Sequence, residues 1–322
     1  MASDPVSFDT KHEEMIHDAQ LDYYGKRLAT ASSDRTVKIF DAANGQLLAE
    51  PLKGHDGPVW QVSWAHPKYG SLLASCSYDG KVVVWKEQAP NQWIRVYSPV
   101  DNIAASVNAV AWAPHTFGLI LAAASADGSV TIYEHDEATG WKNPPQTIAA
   151  HKGGCNAVSW GPDLKTGALL ANANGDAPTG RRFVTAGCDN RIKIWRFDEE
   201  KKVWAEEPVW DGETHHEGWV RDVAWAPSLG LPRSTIASCS EDARVCIWTE
   251  QPPPSRLWKK SATLEFTHKV WRVSWSTMGN ILAVSQGDNK VSLWKEGVDG
   301  EWQNLSELAD PDAAVEQKQP ES

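Results

Sequence analysis

Short runs of alternating apolar and polar residues recur along the chain, separated by turns rich in Gly, Asp, Asn and Ser. Runs such as Lys81-Val82-Val83-Val84, entered from a tight turn, predict strands of hairpins. Upstream of that run lies a run of small apolar residues, Leu72-Leu73-Ala74-Ser75-Cys76-Ser77. Further upstream comes a run that ends in Trp: Trp64 here, then Trp112, Trp160, Trp225 and Trp275 in later copies, with Leu21 in that place in the first. A fourth run usually carries a Trp of its own: Trp93, Trp141, Trp204, Trp258 and Trp302.

Six aspartates are each followed six positions later by an aromatic residue: Asp34–Phe40, Asp79–Trp85, Asp127–Tyr133, Asp189–Trp195, Asp242–Trp248 and Asp288–Trp294. Successive aspartates stand 45, 48, 62, 53 and 46 residues apart. Four strands per period of about 40–45 residues is the pattern of WD-repeat blades, so the expected fold is an all-β, six-bladed WD-repeat β-propeller. The two long intervals hold insertions, one of them Gly161 to Arg182. The expected organisation is a flexible N-terminus at 1–10, the propeller at 11–308 and an acidic disordered tail at 309–322.

In such repeats a His, a Ser or Thr, the turn Asp and the Trp form a hydrogen-bonded line across one blade. Three repeats carry all four: His55, Ser75, Asp79 and Trp85; His151, Thr185, Asp189 and Trp195; His216, Ser238, Asp242 and Trp248. The first has His12, Thr30 and Asp34, but Phe40 has no indole N–H. The third has Ala123 and no His, and the sixth has Phe266 and Val284 at those places. Ser75, His55 and Asp79 also read as a nucleophile, base and orienter. A catalytic site occurs once, however, and this set recurs, so mutual satisfaction of buried polar groups is the better account. No phosphate loop, nucleophile elbow, zinc-protease or dinucleotide motif is present, so no catalytic residue, cofactor or metal is expected.

Composition narrows the field. The net charge is −11 and no basic stripe exists, which argues against direct nucleic-acid binding. Five cysteines are scattered, with no C-x-x-C pair, which suits a reducing compartment. Cys76 and Cys239 occupy matching places and read as small buried hydrophobes. Neither a signal peptide nor an apolar run of about 18 residues is present, so no membrane span is expected.

The sixth repeat owns four predicted strands, roughly Val270–Trp275, Ile281–Ser285, Lys290–Lys295 and Glu301–Leu308, and the first begins with its own inner strand near Met15–Leu21. The chain ends are therefore not expected to interlock. A ring closed by face packing and a ring open between the first and sixth blades both satisfy this. An open ring would expose apolar faces suited to a partner. These faces would draw on Leu21, Leu28, Val37 and Ile39 in the first blade and Val273, Leu282, Val291 and Leu293 in the sixth. Strand alternation lets only about half of them face the gap.

Several long stretches resemble one family. They include Ile16-His17-Asp18-Ala19, Asp22-Tyr23-Tyr24-Gly25-Lys26-Arg27-Leu28-Ala29-Thr30, Trp64-Ala65-His66-Pro67 and Leu73-Ala74-Ser75-Cys76-Ser77-Tyr78-Asp79-Gly80-Lys81. Others are Trp219-Val220-Arg221-Asp222-Val223-Ala224-Trp225, Gly287-Asp288-Asn289-Lys290-Val291 and Leu293-Trp294-Lys295. Over about residues 12 to 305 the chain looks like the Sec thirteen family, the small propeller shared by the COPII vesicle coat and the nuclear pore's Y-shaped scaffold. The resemblance implies an open six-bladed scaffold that is not an enzyme, completed by a seventh blade from an α-solenoid partner. It implies as partners the COPII large outer-coat subunit and a Y-complex nucleoporin, and a part in amino-acid signalling to the TOR kinase. It implies a cytoplasmic place at the endoplasmic reticulum, on vesicles and at the nuclear pore, peripheral to membranes. The rival expectation is a closed propeller that reads peptides on its top face.

Overall fold

The computed structural model describes residues 8–99, 103–163, 180–208, 210, 215–227, 233–252 and 255–308. Residues 1–7, most of the insertion at 161–182 and the stretch 309–322 lie outside the described residues. The strands form six antiparallel sheets, the blades of a six-bladed WD-repeat β-propeller. The chain divides into two compact units, 1–158 and 159–322, and the division falls within the inner strand of the fourth blade.

In the first unit, the first blade runs through Ile16–Leu21, Arg27–Ser32, Thr36–Asp41 and the short Leu52–Lys53. The second takes Val59–Trp64, Leu72–Ser77, Val82–Ala89 and Gln92–Tyr97. The third takes Val107–Trp112, Leu119–Ser125 and Ser129–Asp136, and the last of these pairs with both Gly140–Trp141 and Gln146–Ala149. The fourth blade comprises Cys155–Trp160, Arg182–Gly187, Ile192–Asp198 and Val203–Glu206. In the second unit, the fifth takes Val220–Trp225, Thr235–Ser240, Arg244–Glu250 and Trp258–Glu265. The sixth takes Val270–Trp275, Leu282–Gln286, Val291–Glu296 and Trp302–Leu308, within a residue or two of the expected bounds.

Two local devices recur among the blades. The residue after the turn aspartate has positive φ in all six: Arg35, Gly80, Gly128, Asn190, Ala243 and Asn289. This reverses the chain between the second and third strands. Near its start the inner strand also slips register, at Ile16/Asp18, Val59/Gln61, Val220/Asp222 and Val270/Arg272, a bulge that re-aims the next side chain.

The core lies between adjacent blades. Ala29, Ala31, Val37 and Ile39 of the first blade meet Val59, Val62, Leu73, Val83 and Trp85 of the second. Cys76, Val82 and Val84 of the second meet Val107, Val110 and Leu121 of the third. Ala237, Cys239, Val245 and Ile247 of the fifth meet Val270, Val273, Leu282 and Val284 of the sixth. Cys76 and Cys239 are fully buried there. Residues 8–10 are described as well, and the Phe8 ring lies 5.4 Å from that of Phe40.

Gly80 and Gly25 share a left-handed φ but not an environment. A Cβ on Gly80 would meet the Ile103 carbonyl oxygen at 2.1 Å, whereas one on Gly25 would meet nothing within 4 Å. Gly25→Ala should therefore cost only the left-handed strain, about 1–2 kcal/mol. Gly80→Ala should cost clearly more, because the loop above it must move. Equal midpoint shifts in urea would contradict this.

Candidate functional site

The polar line is assembled in the second and fifth blades. His216 lies between Asp242 and Ser238, with Nδ1 2.9 Å from Oδ2 and Nε2 2.8 Å from Oγ. The Trp248 indole donates to the same Ser238 Oγ at 2.9 Å. Asp242 also accepts the amides of Glu217 and Arg244, both at 2.9 Å. In the second blade His55 Nε2 is 2.8 Å from Ser75 Oγ, which also accepts the Trp85 indole at 2.9 Å. His55 Nδ1 stands 3.4 Å from Asp79, an ion-pair distance without hydrogen-bond alignment. In the fourth blade the Trp195 indole donates to Thr185 at 3.0 Å, Asp189 accepts the Arg191 amide at 3.3 Å, and His151 is buried.

The incomplete repeats are satisfied in other ways. His12 bridges Asp34 and Thr30 at 2.6 and 2.7 Å, although Phe40 adds no indole N–H. In the sixth blade Phe266 packs edge-on to Trp294 at 5.7 Å, and the Trp294 indole turns to Ser292 at 2.9 Å. Replacing both His and Ser by apolar residues leaves no orphaned partner, the one inexpensive way to lose such a bond. A fifth member escaped the sequence reading. Ser32, Ser77, Ser125 and Ser240 each stand two before the turn aspartate and accept its amide at 3.1, 3.2, 3.5 and 3.2 Å.

Electrostatics fit a structural role. Burial opposes charge on His216, but its hydrogen bond to the Asp242 carboxylate holds its pKa up to about 9. Burial likewise raises Asp34 and Asp79, yet bonds from Thr36 and His12 to the first, and the neighbouring His55 imidazole with the Asp56 and Lys81 amides at the second, bring both down to about 2. Ser75 and Ser238 are fully buried, and each Oγ already accepts an indole proton. A nucleophile so placed cannot meet a substrate, so the triad geometry does not make an active site. Among the described residues no cluster of three or more His, Cys, Asp or Glu suits a metal, and no helix is long and apolar enough to cross a membrane.

A second set of residues joins neighbouring blades. Three strand-end Trp donate to the previous inner strand: Trp64 to the Gln20 carbonyl, Trp112 to Ser63 and Trp275 to Ala224, at 2.9, 3.0 and 3.1 Å, whereas Trp225 donates to the Ser234 hydroxyl at 2.9 Å. After three of the bulges the next residue accepts an amide of the following inner strand: Asp18 from Val62, Gln61 from Val110 and Asp222 from Val273. Each strand-end Trp pairs with the fourth-strand Trp, as in Trp64–Trp93, Trp225–Trp258 and Trp275–Trp302. Arg27 lies over Trp64 and Trp93 and reaches Glu87, and Arg182 lies over Trp225 and Trp258 and reaches Glu250. The first blade has Leu21 where the indole donor stands elsewhere, and the sixth has Arg272 where Asp18, Gln61 and Asp222 accept.

The eight candidate partner contacts separate by face. Val37 and Ile39 point at the second blade, and Val273 and Leu282 at the fifth. Leu21 is exposed, and Leu28, Val291 and Leu293 are partly buried. Val291 and Leu293 stand three and five positions after the turn aspartate. In the other five blades those positions are Val37 and Ile39, Val82 and Val84, Val130 and Ile132, Ile192 and Ile194, and Val245 and Ile247, each at most 1% exposed.

Comparison with known proteins agrees with the repeat reading. The family described as WD domain, G-beta repeat matches residues 4–41, 45–86, 142–196, 209–249 and 258–295. The unmatched stretch 87–141 holds most of the third repeat, which lacks both His and hydroxyl. Protein transport protein SEC13 of Chaetomium thermophilum is 59% identical across 92% of this chain and 95% of its own. Protein SEC13 homolog of Dictyostelium discoideum is 54% identical across 93% and 97%. Protein transport protein SEC13 of Cryptococcus neoformans is 50% identical across 96% and 98%.

Two outcomes test the polar line. Asp242→Ala strands a buried imidazole and two amides and should cost about 3–5 kcal/mol in denaturant titration. Asp127→Ala, which frees mainly the Ser129 amide, should cost about 1 kcal/mol. Because the folded pKa of His216 is raised, its contribution is complete below its ordinary 6.5 and is lost as pH rises to about 9. The stability gap between the wild type and His216→Gln should therefore shrink by on the order of 3 kcal/mol across that window. A gap independent of pH would contradict the charged imidazole.

Proposed function

The chain belongs to the SEC13 family of protein transport proteins, and from that premise we propose that it is a scaffold subunit of a transport coat, completed by strands from an α-solenoid partner. In this reading the partner inserts a short sheet as a seventh blade. One side of that sheet covers Val291 and Leu293 of the sixth blade, and the other meets Leu21 and Leu28 of the first. The supporting observation is the half-buried state of Val291 and Leu293, at positions that every other blade seals completely.

The junction chemistry supports the same reading. The second, third and sixth blades bring an indole donor to the previous inner strand, whereas the first has Leu21 in that place. The blade before such a junction offers an acceptor in the first, second and fifth cases, and the sixth offers Arg272. These substitutions suit faces meant for a different chain. The partners fitting this role are the COPII large outer-coat subunit and a Y-complex nucleoporin. They would place the protein on the cytosolic face of the endoplasmic reticulum and its vesicles and at the nuclear pore, held to membranes only through partners.

An inserted sheet that removes several hundred Å² of apolar surface from water would gain on the order of 10 kcal/mol before association costs. Binding of the recombinant α-solenoid partner should therefore persist in high salt, unlike a contact driven by exposed charges. Leu293→Asp should abolish it, and Val203→Asp, on an exposed site of the fourth blade, should not. Wild-type affinity of Leu293→Asp in a pull-down and in calorimetry would overturn the proposal.

A further inference from the structure

Most of the 18 tryptophans are buried or half-buried, yet Trp219 and Trp271 are 49% and 42% exposed. Both stand at the starts of inner strands, in the fifth and sixth blades. Between them lies Arg221, with its guanidinium carbon 5.2 Å from one indole centroid and 5.0 Å from the other. The polar line does not use this cluster, nor do the two faces assigned to the strand-donating partner.

The cluster is held rigidly. The Glu241 amide donates to the Trp219 carbonyl at 3.1 Å, and the Gly287 amide donates to the Lys269 carbonyl at 2.9 Å. A Cβ on Gly287 would press on the Trp271 indole nitrogen at 3.3 Å, so the glycine leaves room for that ring beside the turn. Rigid indoles give contact area at little entropic cost, which is why Trp and Arg dominate binding hot spots.

Its charge is unbalanced. Arg221 and Lys269 share one carboxylate, that of Glu241. The two cations hold its pKa below the usual carboxylate range, Lys269 most strongly. Nearby carboxylates are engaged elsewhere: Asp242 with His216, Asp288 with His268 and Lys290, and Glu217 with Arg244. Arg221 Nε is buried and has no hydrogen-bond partner among the described residues. A guanidinium has five donors, and here only the contact to Glu241 uses them. On a chain of net charge −11 this is a local cationic spot between two apolar plates.

We propose that Trp219, Arg221, Lys269 and Trp271 form a docking site for an acidic, extended segment of a partner protein. An Asp or Glu of that segment pairs with Arg221 and Lys269, and an adjacent apolar side chain lies on the exposed indoles. Glu241 then acts as the occupant that the incoming carboxylate displaces. This site goes beyond the scaffold reading and does not depend on it.

The test uses the full-length chain and a fluorescein-labelled peptide, Gly-Glu-Asp-Phe-Asp-Glu-Gly, followed by anisotropy. Controls carry Gln and Asn, or Lys, in place of the acids. The acidic peptide should bind at least roughly tenfold more tightly than either control, and Trp219→Ala with Trp271→Ala should remove on the order of tenfold or more of that affinity. The melting temperature should fall only modestly, because each ring is about half in solvent, and affinity is read well below the transition. Glu241→Gln should strengthen binding severalfold, a gain that a merely structural Glu241 would not give. The proposal is overturned if the peptide does not bind, if neutral or basic peptides bind equally, if the Trp variants keep full affinity, or if Glu241→Gln weakens it.

Discussion

A blade of this protein carries apolar side chains on both faces, so none of the six can be stable without cover on each side. Val37 and Ile39 serve one face of the first blade only because Val59, Val62 and Leu73 of the second lie against them. The same exchange joins the second blade to the third and the fifth to the sixth. The requirement for cover dictates the repeat length, the alternation along each strand and the pairing of strand-end and fourth-strand tryptophans. It also makes the partly covered Val291 and Leu293 the informative departure, since nothing in their own sheet requires those side chains to meet water.

Within a blade a different economy holds. A buried imidazole, hydroxyl and carboxylate are tolerable only when each satisfies the others. His216, Ser238, Asp242 and Trp248 meet that condition fully. The second blade meets it less tightly, with His55 Nδ1 at 3.4 Å from Asp79. The sixth gives the line up by substituting Phe266 and Val284, and the third by omitting His and hydroxyl together. The first loses only the indole donor, and its Thr30 still bonds His12 and the Lys38 carbonyl, so no repeat leaves its His or hydroxyl stranded by these changes.

Much of this was legible in the sequence. The Asp-to-aromatic spacing located every turn between second and third strands, and strand bounds in the sixth blade fell within a residue or two. Legibility stopped where contacts cross blades. Nothing near Arg27 announces that its guanidinium will lie on Trp64 and Trp93, because that meeting depends on how two repeats stack. The bulge at Ile16/Asp18, which turns Asp18 toward the Val62 amide, leaves no compositional mark. Alternation alone could not say which of Leu28 and Val37 faces the second blade. Burial separates them, since Val37 is sealed and Leu28 is not.

A partner that supplies the missing cover is the central claim, and a structure of the full chain bound to its α-solenoid partner tests it most directly. The account predicts partner strands against Val291 and Leu293 on one side and against Leu21 and Leu28 on the other. Direct packing of the first blade on the sixth, with the partner seated elsewhere, would contradict it.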